Sequence, residues 1–396
     1  MLGVNTGKGR FVTVLMNGIN IKTYTNKVAV RESVCSHYLT AELTFFDTVN
    51  IIEKMGLKCD GTDWVLIHFD AVIKGQKIKS EYKQIYNVIS YKQVDGGPES
   101  VRTKVYEISL VGPEYFVDRS TLVVESVKHI TGCALSSKIW KESGFPSALS
   151  IPVTDTMITE GDEPYQINYM KPFTAIAQIR NQMYYPTFPT GNALLYRDYY
   201  SEVLAPLQYL MDTKSAQETF VEKETWGTSW RDIFETEHAI INAAAQTRSQ
   251  SGAGGTAKTV GSAAGPQGNR AFDAVAGKFS FNKFMASGAP TLHMNNSNRV
   301  NPMMDFTQKT ATERLYAAKC KGGPQWNIRV PLQLGINLTV GKGVHCDLLP
   351  VAGDQKNFRQ SKYGGLMLVT DIVHEVWAEN KPVTGTTTFQ AIKGMA

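Results

Sequence analysis

The sequence predicts a mainly β fold carrying an α+β insertion, and three observations lead to it. The first third reads as a run of alternating strands. Two segments near opposite ends of the chain repeat one order of strand, basic loop, long strand, Pro-containing turn and final strand. The stretch between them changes to helical spacing. Two copies of one β-domain are therefore expected at 1–118 and 236–396, with an α+β domain inserted over 119–235. A chain of 396 residues has the length for such a division.

The strand reading begins at Arg10 to Met16 and Ile19 to Tyr24, which flank Asn17-Gly18, a strong short hairpin signal. Val28 to Arg31 and Leu39 to Phe45 continue it, and a helical turn from Thr48 to Met55 closes at Gly56.

The repeat lies in Leu57 to Gly112 and Leu338 to Gly394. Each segment opens with Leu, a polar Gly turn and an apolar strand. A basic loop follows, Lys74 to Lys83 or Asp354 to Lys362, then a long strand, Ile85 to Gln93 or Leu366 to Val376. Each closes through a turn holding Pro98 or Pro382. In the first copy's final strand Tyr106, Ile108 and Leu110 alternate with Val105, Glu107, Ser109 and Val111, the pattern of a half-buried strand. The other reading is that any two antiparallel hairpins share such a layout.

The middle differs. Leu122 to Lys128 reads as a strand and Ala134 to Glu142 as a helix stopped by Ser143-Gly144. Lys171 to Tyr185 reads as a helix with Pro172 in its first turn, where a missing N–H costs nothing. Ala193 to Arg197 and Val203 to Leu210 suggest a hairpin, and Thr228 to Glu235 a short helix. Ser249 to Asn269, rich in Gly, Ala and Ser, reads as a long loop or mobile arm. Thr310 to Lys319 reads as a short helix.

Bulk properties exclude several classes. The net charge is +5, from 41 basic and 36 acidic residues, with no basic run long enough for a nucleic-acid arm. No apolar run reaches a membrane span, and the N-terminus lacks the layout of a secretion signal. Five widely spaced cysteines (Cys35, Cys59, Cys133, Cys320, Cys346) read as free, mostly buried thiols of a reducing compartment.

Familiar catalytic and metal patterns fail one by one. Gly335 to Gly343 has the wrong spacing for a phosphate loop, and Gly343 stands where a magnesium-holding Ser or Thr belongs, so a β-turn is expected. Cys35 with His37, and His345 with Cys346, lack a second pair at zinc spacing. On strands, Cys35 and His37 would share a face, whereas adjacent His345 and Cys346 would point apart. His374-Glu375 lacks the second His of a zinc protease motif, and no GxSxG occurs. No catalytic, cofactor or metal residue is assigned.

Three stretches carry a family resemblance. Ala41 to Asp47, followed by Asn50-Ile51 and Lys54-Met55, is an apolar strand running into Asp and a short helix. Thr312 to Leu315 with Asn337 to Gly341 gives a helix and a following strand, and Val369 to Val376 a late strand. In this order the chain resembles the central hub protein of contractile phage baseplates, which is related to the hub part of type VI secretion spike proteins.

The resemblance implies two tail-tube-like β-barrel domains per chain. It also implies a homotrimer whose six barrels ring one axis and adapt a sixfold tail tube to a threefold central spike. Expected partners are the tail tube or tube-initiator protein, the central spike, baseplate wedge proteins and the tape measure protein, in a virion assembled in the host cytoplasm. The role is structural, with no cofactor and no sequence-specific nucleic-acid binding. The basic loops, through Lys77, Lys79, Lys83, Lys356, Arg359 and Lys362, are candidate contacts to neighbouring rings; the competing reading is a solvated hairpin tip. The rival function is a β-rich tail enzyme or carbohydrate-binding tail protein with an unfamiliar site.

Overall fold

The computed structural model describes residues 7–71, 80–94, 104–128, 130–154, 157–158, 165–185, 187–188, 193–212, 216–221, 235–237, 256–260, 270–273, 278–281, 292–295, 325–347, 365–378 and 383–392. The first part holds β1 (Gly7–Met16), β2 (Ile19–Asn20), β3 (Thr25–Ser33), β4 (Thr40–Asp47), α1 (Ile51–Met55), β5 (Trp64–Ala71), β6 (Ser80–Val94) and β7 (Lys104–Val111). The middle holds α2 (Glu114–Ser120), β8 (Val123–Val127), α3 (Gly132–Glu142), β9 (Leu149–Ser150), β10 (Met157–Ile158), β11 (Tyr165–Met170), α4 (Pro172–Gln182), β12 (Met183–Tyr184), β13 (Ala193–Arg197), β14 (Glu202–Pro206), α5 (Leu207–Asp212) and β15 (Ala216–Val221). The last part holds β16 (Glu235–Glu237), β17 (Thr256–Val260), β18 (Arg270–Asp273), β19 (Lys278–Phe281), β20 (Leu292–Asn295), β21 (Gln325–Pro331), α6 (Leu332–Gly335), β22 (Gly343–Asp347), β23 (Gly365–Trp377) and β24 (Thr384–Ile392). The fold is mainly β, with one large mixed sheet and a helical insertion.

Local chemistry sets the first turns. Asn17 and Gly18 both have positive φ, 47° and 85°, as the two-residue hairpin turn between β1 and β2 requires. Asp47, at the end of β4, accepts hydrogen bonds from the Ile51 and Ile52 amides (2.8 and 3.1 Å) and so starts α1. Gly56, φ 61°, ends it.

The repeated segments share a strand path. The first runs β1-β5-β6-β7-β4-β3, the second β15-β22-β23-β24-β21-β16. Both long strands bulge against their final strands at the same step. Asn87↔Val111, Val88↔Leu110 and Ser90↔Ser109 in one copy match Leu368↔Ile392, Val369↔Ala391 and Asp371↔Gln390 in the other. One offset of 281 residues relates both members of each pair (Asn87 to Leu368, Val111 to Ile392). A shared bulge is specific evidence of kinship, because the extra residue must fall at the same place in the ladder. The copies differ at their outer strand: β1 is antiparallel to β5, whereas β15 is parallel to β22.

The copies are joined directly. β3 pairs antiparallel with β23 from Ser33↔Asp371 to Lys27↔Trp377. β1 meets β24 at Gly7↔Gly385 and Lys8↔Thr384, so the pairings β23-β24-β1-β5-β6-β7-β4-β3 return to β23. Inside lie Phe11, Val14, Phe45, Ile67, Phe69 and Tyr86, sealed by Leu332, Ile336 and Val376 from the second copy. A second core combines Trp326, Ile328, Leu368, Ile372 and Phe389 with Leu207, Leu210 and Phe220 of the middle. In a third, α3 and α4 pack through Leu135, Ile139, Trp140, Phe173, Ile176 and Ile179. Each such fully buried side chain contributes about 1.5–3 kcal/mol relative to exposure.

Several expectations are corrected. Lys83 is not in a loop: β6 begins at Ser80, because Ser80 to Asn87 finds a full ladder on β5. Val203 to Leu210 is not one strand; β14 ends at Pro206, whose ring removes a ladder donor, and α5 follows. Glu235 is in β16 rather than a helix, being paired with Arg329. Thr256–Val260, inside the Gly-rich stretch, is a strand between β18 and β20; β-branched Thr256, Thr259 and Val260 suit a ladder. The rest of 249–269, the 228–234 portion of the expected helix, and the 310–319 helix lie outside the described residues, as do Pro98 and Pro382.

Candidate assembly surface

Because strand residues alternate in facing, each copy has a core side and an outer side. Where β3 joins β23, the outer sides merge into one surface running β6-β7-β4-β3-β23-β24-β21-β16. It carries Ser90, Lys92, Glu107, Ser109, Glu42, Thr44, Arg31 and Lys27 from the first copy. Asp371, Glu375, Thr388, Gln390, Asn327 and Arg329 come from the second.

The charges on it are balanced and largely paired. Lys92 faces Glu107 at 2.8 Å, Arg31 faces Glu42 at 3.2 Å, and Lys27 crosses the seam to Glu375 at 2.9 Å. The hydrogen bond from Lys92 to Glu107, followed by their charge attraction, raises the pKa of Lys92. The second copy's share of the surface is concave, an open recess lined by Asn327, Arg329, Asp371, Val373, Glu375, Thr388 and Gln390.

Behind the seam sits a buried polar cluster drawn from all three parts of the chain. Glu32 of β3, 2% exposed, lies on the core side, and Arg197, Asp198 and Glu202 come from the middle. Burial first, and then Asp198, push the Glu32 carboxyl up to about 8; backbone amides of Val340 and Tyr199 and the charge of Arg197 oppose the shift. Those amides favour the anion without closing a hydrogen bond of good geometry. Burial likewise holds Glu202 well above the carboxylate range. Arg197 Nε stands 3.8 Å from Glu114 Oε1, too long for a hydrogen bond.

From the second copy, His374 exchanges a 2.8 Å hydrogen bond with Thr387 Oγ1, and burial lowers its pKa to about 3. Tyr82 and Tyr86 share a 2.6 Å hydroxyl contact in the same core. The cluster is closed to solvent, and among the described residues no His, Cys, Asp and Glu group could hold a metal.

Of the sequence-chosen contact residues, Lys83 alone falls among the described residues. Lys83 is exposed on β6, its amide donating to Tyr199 Oη at 3.1 Å. Lys77, Lys79, Lys356, Arg359 and Lys362 lie outside the described residues. Cys35 and His37 sit in the β3–β4 loop rather than on a strand; His37 stacks on Phe173 and its Nδ1 lies 2.9 Å from the Leu195 carbonyl. His345 and Cys346 are on β22 and differ in burial, as neighbours on a strand do. Gly341 is in a turn, with φ 76°.

Sequence reasoning missed the merged surface, since strand partners between the copies leave no local signal. The buried cluster did leave one. In Val28-Ala29-Val30-Arg31-Glu32, inward parity falls on Val28, Val30 and then Glu32, a charge where the pattern asks for an apolar side chain.

No protein-family model and no curated protein matches the chain by sequence. Solved structures do match its fold. A tail protein from Neisseria meningitidis MC58 is similar at TM-score 0.55 and 11% identity, over 98% of this chain and 96% of the other. The 43 kDa tail protein of prophage MuSo2 from Shewanella oneidensis is similar at TM-score 0.55 and 10% identity, over 97% and 98%. A chain of the Francisella PdpA-VgrG complex is similar at TM-score 0.53 and 9% identity, over 99% of this chain but 54% of that one.

Proposed function

We propose that this chain, which shares its fold with phage tail proteins and with part of a VgrG complex, is the central hub of a contractile phage tail baseplate. Its role is structural rather than enzymatic. Three copies form a ring that joins the sixfold tail tube to the threefold central spike. Baseplate wedge proteins bind around it, and the tape measure protein is a further partner, in a virion assembled in the host cytoplasm.

The observation that supports this reading is the pair of like-ordered strand paths set side by side in one sheet. A sixfold neighbour needs six similar units, and three two-copy chains supply them. The merged surface suits the wall of a water-filled channel: its charges are balanced and paired, with Phe46, Val373 and Trp377 as apolar positions among them, whereas the opposite side of the same strands is apolar core. The part of segment 119–235 that precedes β15, present once per chain, reduces the symmetry to threefold where a spike docks. Cyclic closure satisfies every interface and gives a finite ring.

Native mass spectrometry with negative-stain imaging tests it. The expected result is a three-chain ring with a central channel. A monomer or dimer at assembly-relevant concentration would overturn it.

A further inference from the structure

The chain departs from the paired copies twice, and both departures leave at one end of them. β7 ends at Val111, opposite Thr40, and the chain passes from there into the middle part. In the second copy the corresponding pair is Ile392 and Gln325. Ser33 beside Asp371 sets these two ends on the same side of the junction. β16 runs toward that end, since Glu237 faces Asn327, and β21 begins there at Gln325. Residues 238–324 are therefore an excursion from the end that also carries the insertion.

The described part of that excursion is a four-stranded sheet, β19-β18-β17-β20, hydrogen-bonded to no strand of the large sheet. Its ladders sort the residues by face. Phe272 stands opposite Phe279 and Ala257, Arg270 opposite Phe281, and Ala257 and Thr259 beside Leu292 and Met294. One face thus holds Ala257, Phe272, Phe279, Phe281, Leu292 and Met294, with Thr259 and Arg270 as its polar members. Positions on the other face are mostly polar, among them Lys258, Asp273, Lys278, Ser280, His293 and Asn295. A sheet with one apolar face is stable when that face is packed.

The insertion presents a face of matching chemistry. β8 and β11 form a two-stranded sheet whose inner side, with Val123 and Ile167, joins the third core. Its solvent side shows Leu122, Val124 and Tyr169, which are 60%, 55% and 76% exposed. Tyr169 sits in the bulge between Ile167 and Met170 with φ 49°, a backbone region that a bulky residue rarely adopts. The bulge lies across the ladder from Val124 and keeps the ring in water. Backbone strain of this kind gathers at functional surfaces, and grouped exposed apolar side chains mark a protein contact.

These three side chains are open in the single chain, so its own excursion does not cover them. A neighbouring copy brings an excursion to the same end of the ring, and residues 238–255 give it the chain length to reach across. We infer that the apolar face of β19-β18-β17-β20 in one copy packs on Leu122, Val124 and Tyr169 of the next, each sheet supplying the layer that the other lacks. The inference rests on the hub reading, which puts three copies round one axis. It adds a contact made outside the repeat, by the two parts that occur once per chain.

A photoreactive residue at the exposed position tests the contact without disturbing a core. Tyr169→p-benzoylphenylalanine, irradiated in the assembled full chain, should give covalent dimers and trimers on a denaturing gel. Peptide mapping should place the adduct on β17, β18, β19 or β20. Particles assembled from isotope-labelled unsubstituted chains and unlabelled substituted ones should yield adducts that join a light peptide to a heavy one. Adducts within one chain only, or on any other segment of the neighbour, overturn the inference. So does the absence of adducts in a three-chain particle of native mass, which leaves the hub reading standing. Failure of the unaltered chain to form a trimer overturns both.

Hydrogen–deuterium exchange on the unaltered protein gives a second measurement that no substitution can disturb. The amides of β8, β11 and β18 should exchange more slowly in the trimer than in dilute monomer. Unchanged exchange in β8 and β11, or in β18, with assembly demonstrated by native mass, overturns the inference.

Discussion

Lys27 Nζ lies 2.9 Å from the Glu375 carboxylate, across the strand junction that joins the two copies of the repeat. The partners are diagonal neighbours on one face, two ladder steps apart, since Lys27 faces Trp377 and Ala29 faces Glu375. A contact between residues so far apart in sequence forms only when the β3–β23 register is correct, so it acts as a register mark more than as a source of stability.

Both side chains are partly exposed, so the pair contributes about 0–1 kcal/mol after solvent screening. E375K, which sets two lysines together, should lower the denaturation midpoint by a comparable energy, and K27E/E375K should recover most of it. Strict additivity of the two single changes would show that the residues do not interact.

The thiols should react in an order set by burial. Cys35 is exposed and should alkylate first. Cys59 is part-buried, and burial, then Asp63 and Asp60, raise its pKa, so less of it is thiolate and it should follow slowly. Cys133 and Cys346 are buried and should label only on unfolding. Peptide mapping under native and denaturing conditions reads this order, and denaturing, non-reducing labelling should reach all five cysteines. Fast native labelling of Cys346 would contradict the second core.

The parts of this fold that announce themselves in sequence are those made by neighbours along the chain. Asn17-Gly18 shows the first hairpin, Gly56 the end of α1, and Tyr106, Ile108 and Leu110 the core side of β7. The β3–β23 ladder and the closing contact of β1 with β24 were illegible, because their geometry depends on partners hundreds of residues away. Lys83 was misread as loop for a related reason: basic, polar residues at a strand start look like a turn until β5 is known to pair with them. Glu32 was readable in principle from its inward parity, but its meaning needed Arg197, Asp198 and Glu202, which arrive from the insertion.

Gly341 is a position where only glycine fits. Its φ is 76°, and a Cβ there would collide with the hydroxyl of buried Tyr196, which belongs to the second core. Left-handed backbone and overpacking together predict that G341A costs roughly 2–4 kcal/mol. Adding Y196F removes the colliding hydroxyl but leaves ring carbon Cζ 2.6 Å from that Cβ, so it should recover only part, with the ring contact and the backbone share remaining. Thermal melts of the single and double variants decide this; a G341A protein as stable as the parent would mean the turn has another conformation.

Glu32 predicts a pH dependence of stability with a definite sign. Its folded pKa is raised from 4.5 to about 8, so its contribution is fully present below the unfolded value and is lost as pH rises through the folded one. Glu202 is shifted in the same direction. His374 is shifted the other way, from 6.5 to about 3, so its contribution rises with pH until about its unfolded value. The two opposing trends overlap in mild acid, and above that range only the carboxyl trend remains. Between about pH 6.5 and about pH 9 the parent should therefore lose stability. E32Q, which keeps the shape without the ionisation, should lose less, and at the alkaline end it should exceed the parent by something on the order of a few kcal/mol. Because Glu202 still titrates in the variant, the quantity to read is the difference between the two denaturation curves rather than either slope alone. Parallel curves for parent and E32Q across this window would mean that Glu32 ionises as readily in the folded chain as in the unfolded one, and that the cluster behind the seam is open to water.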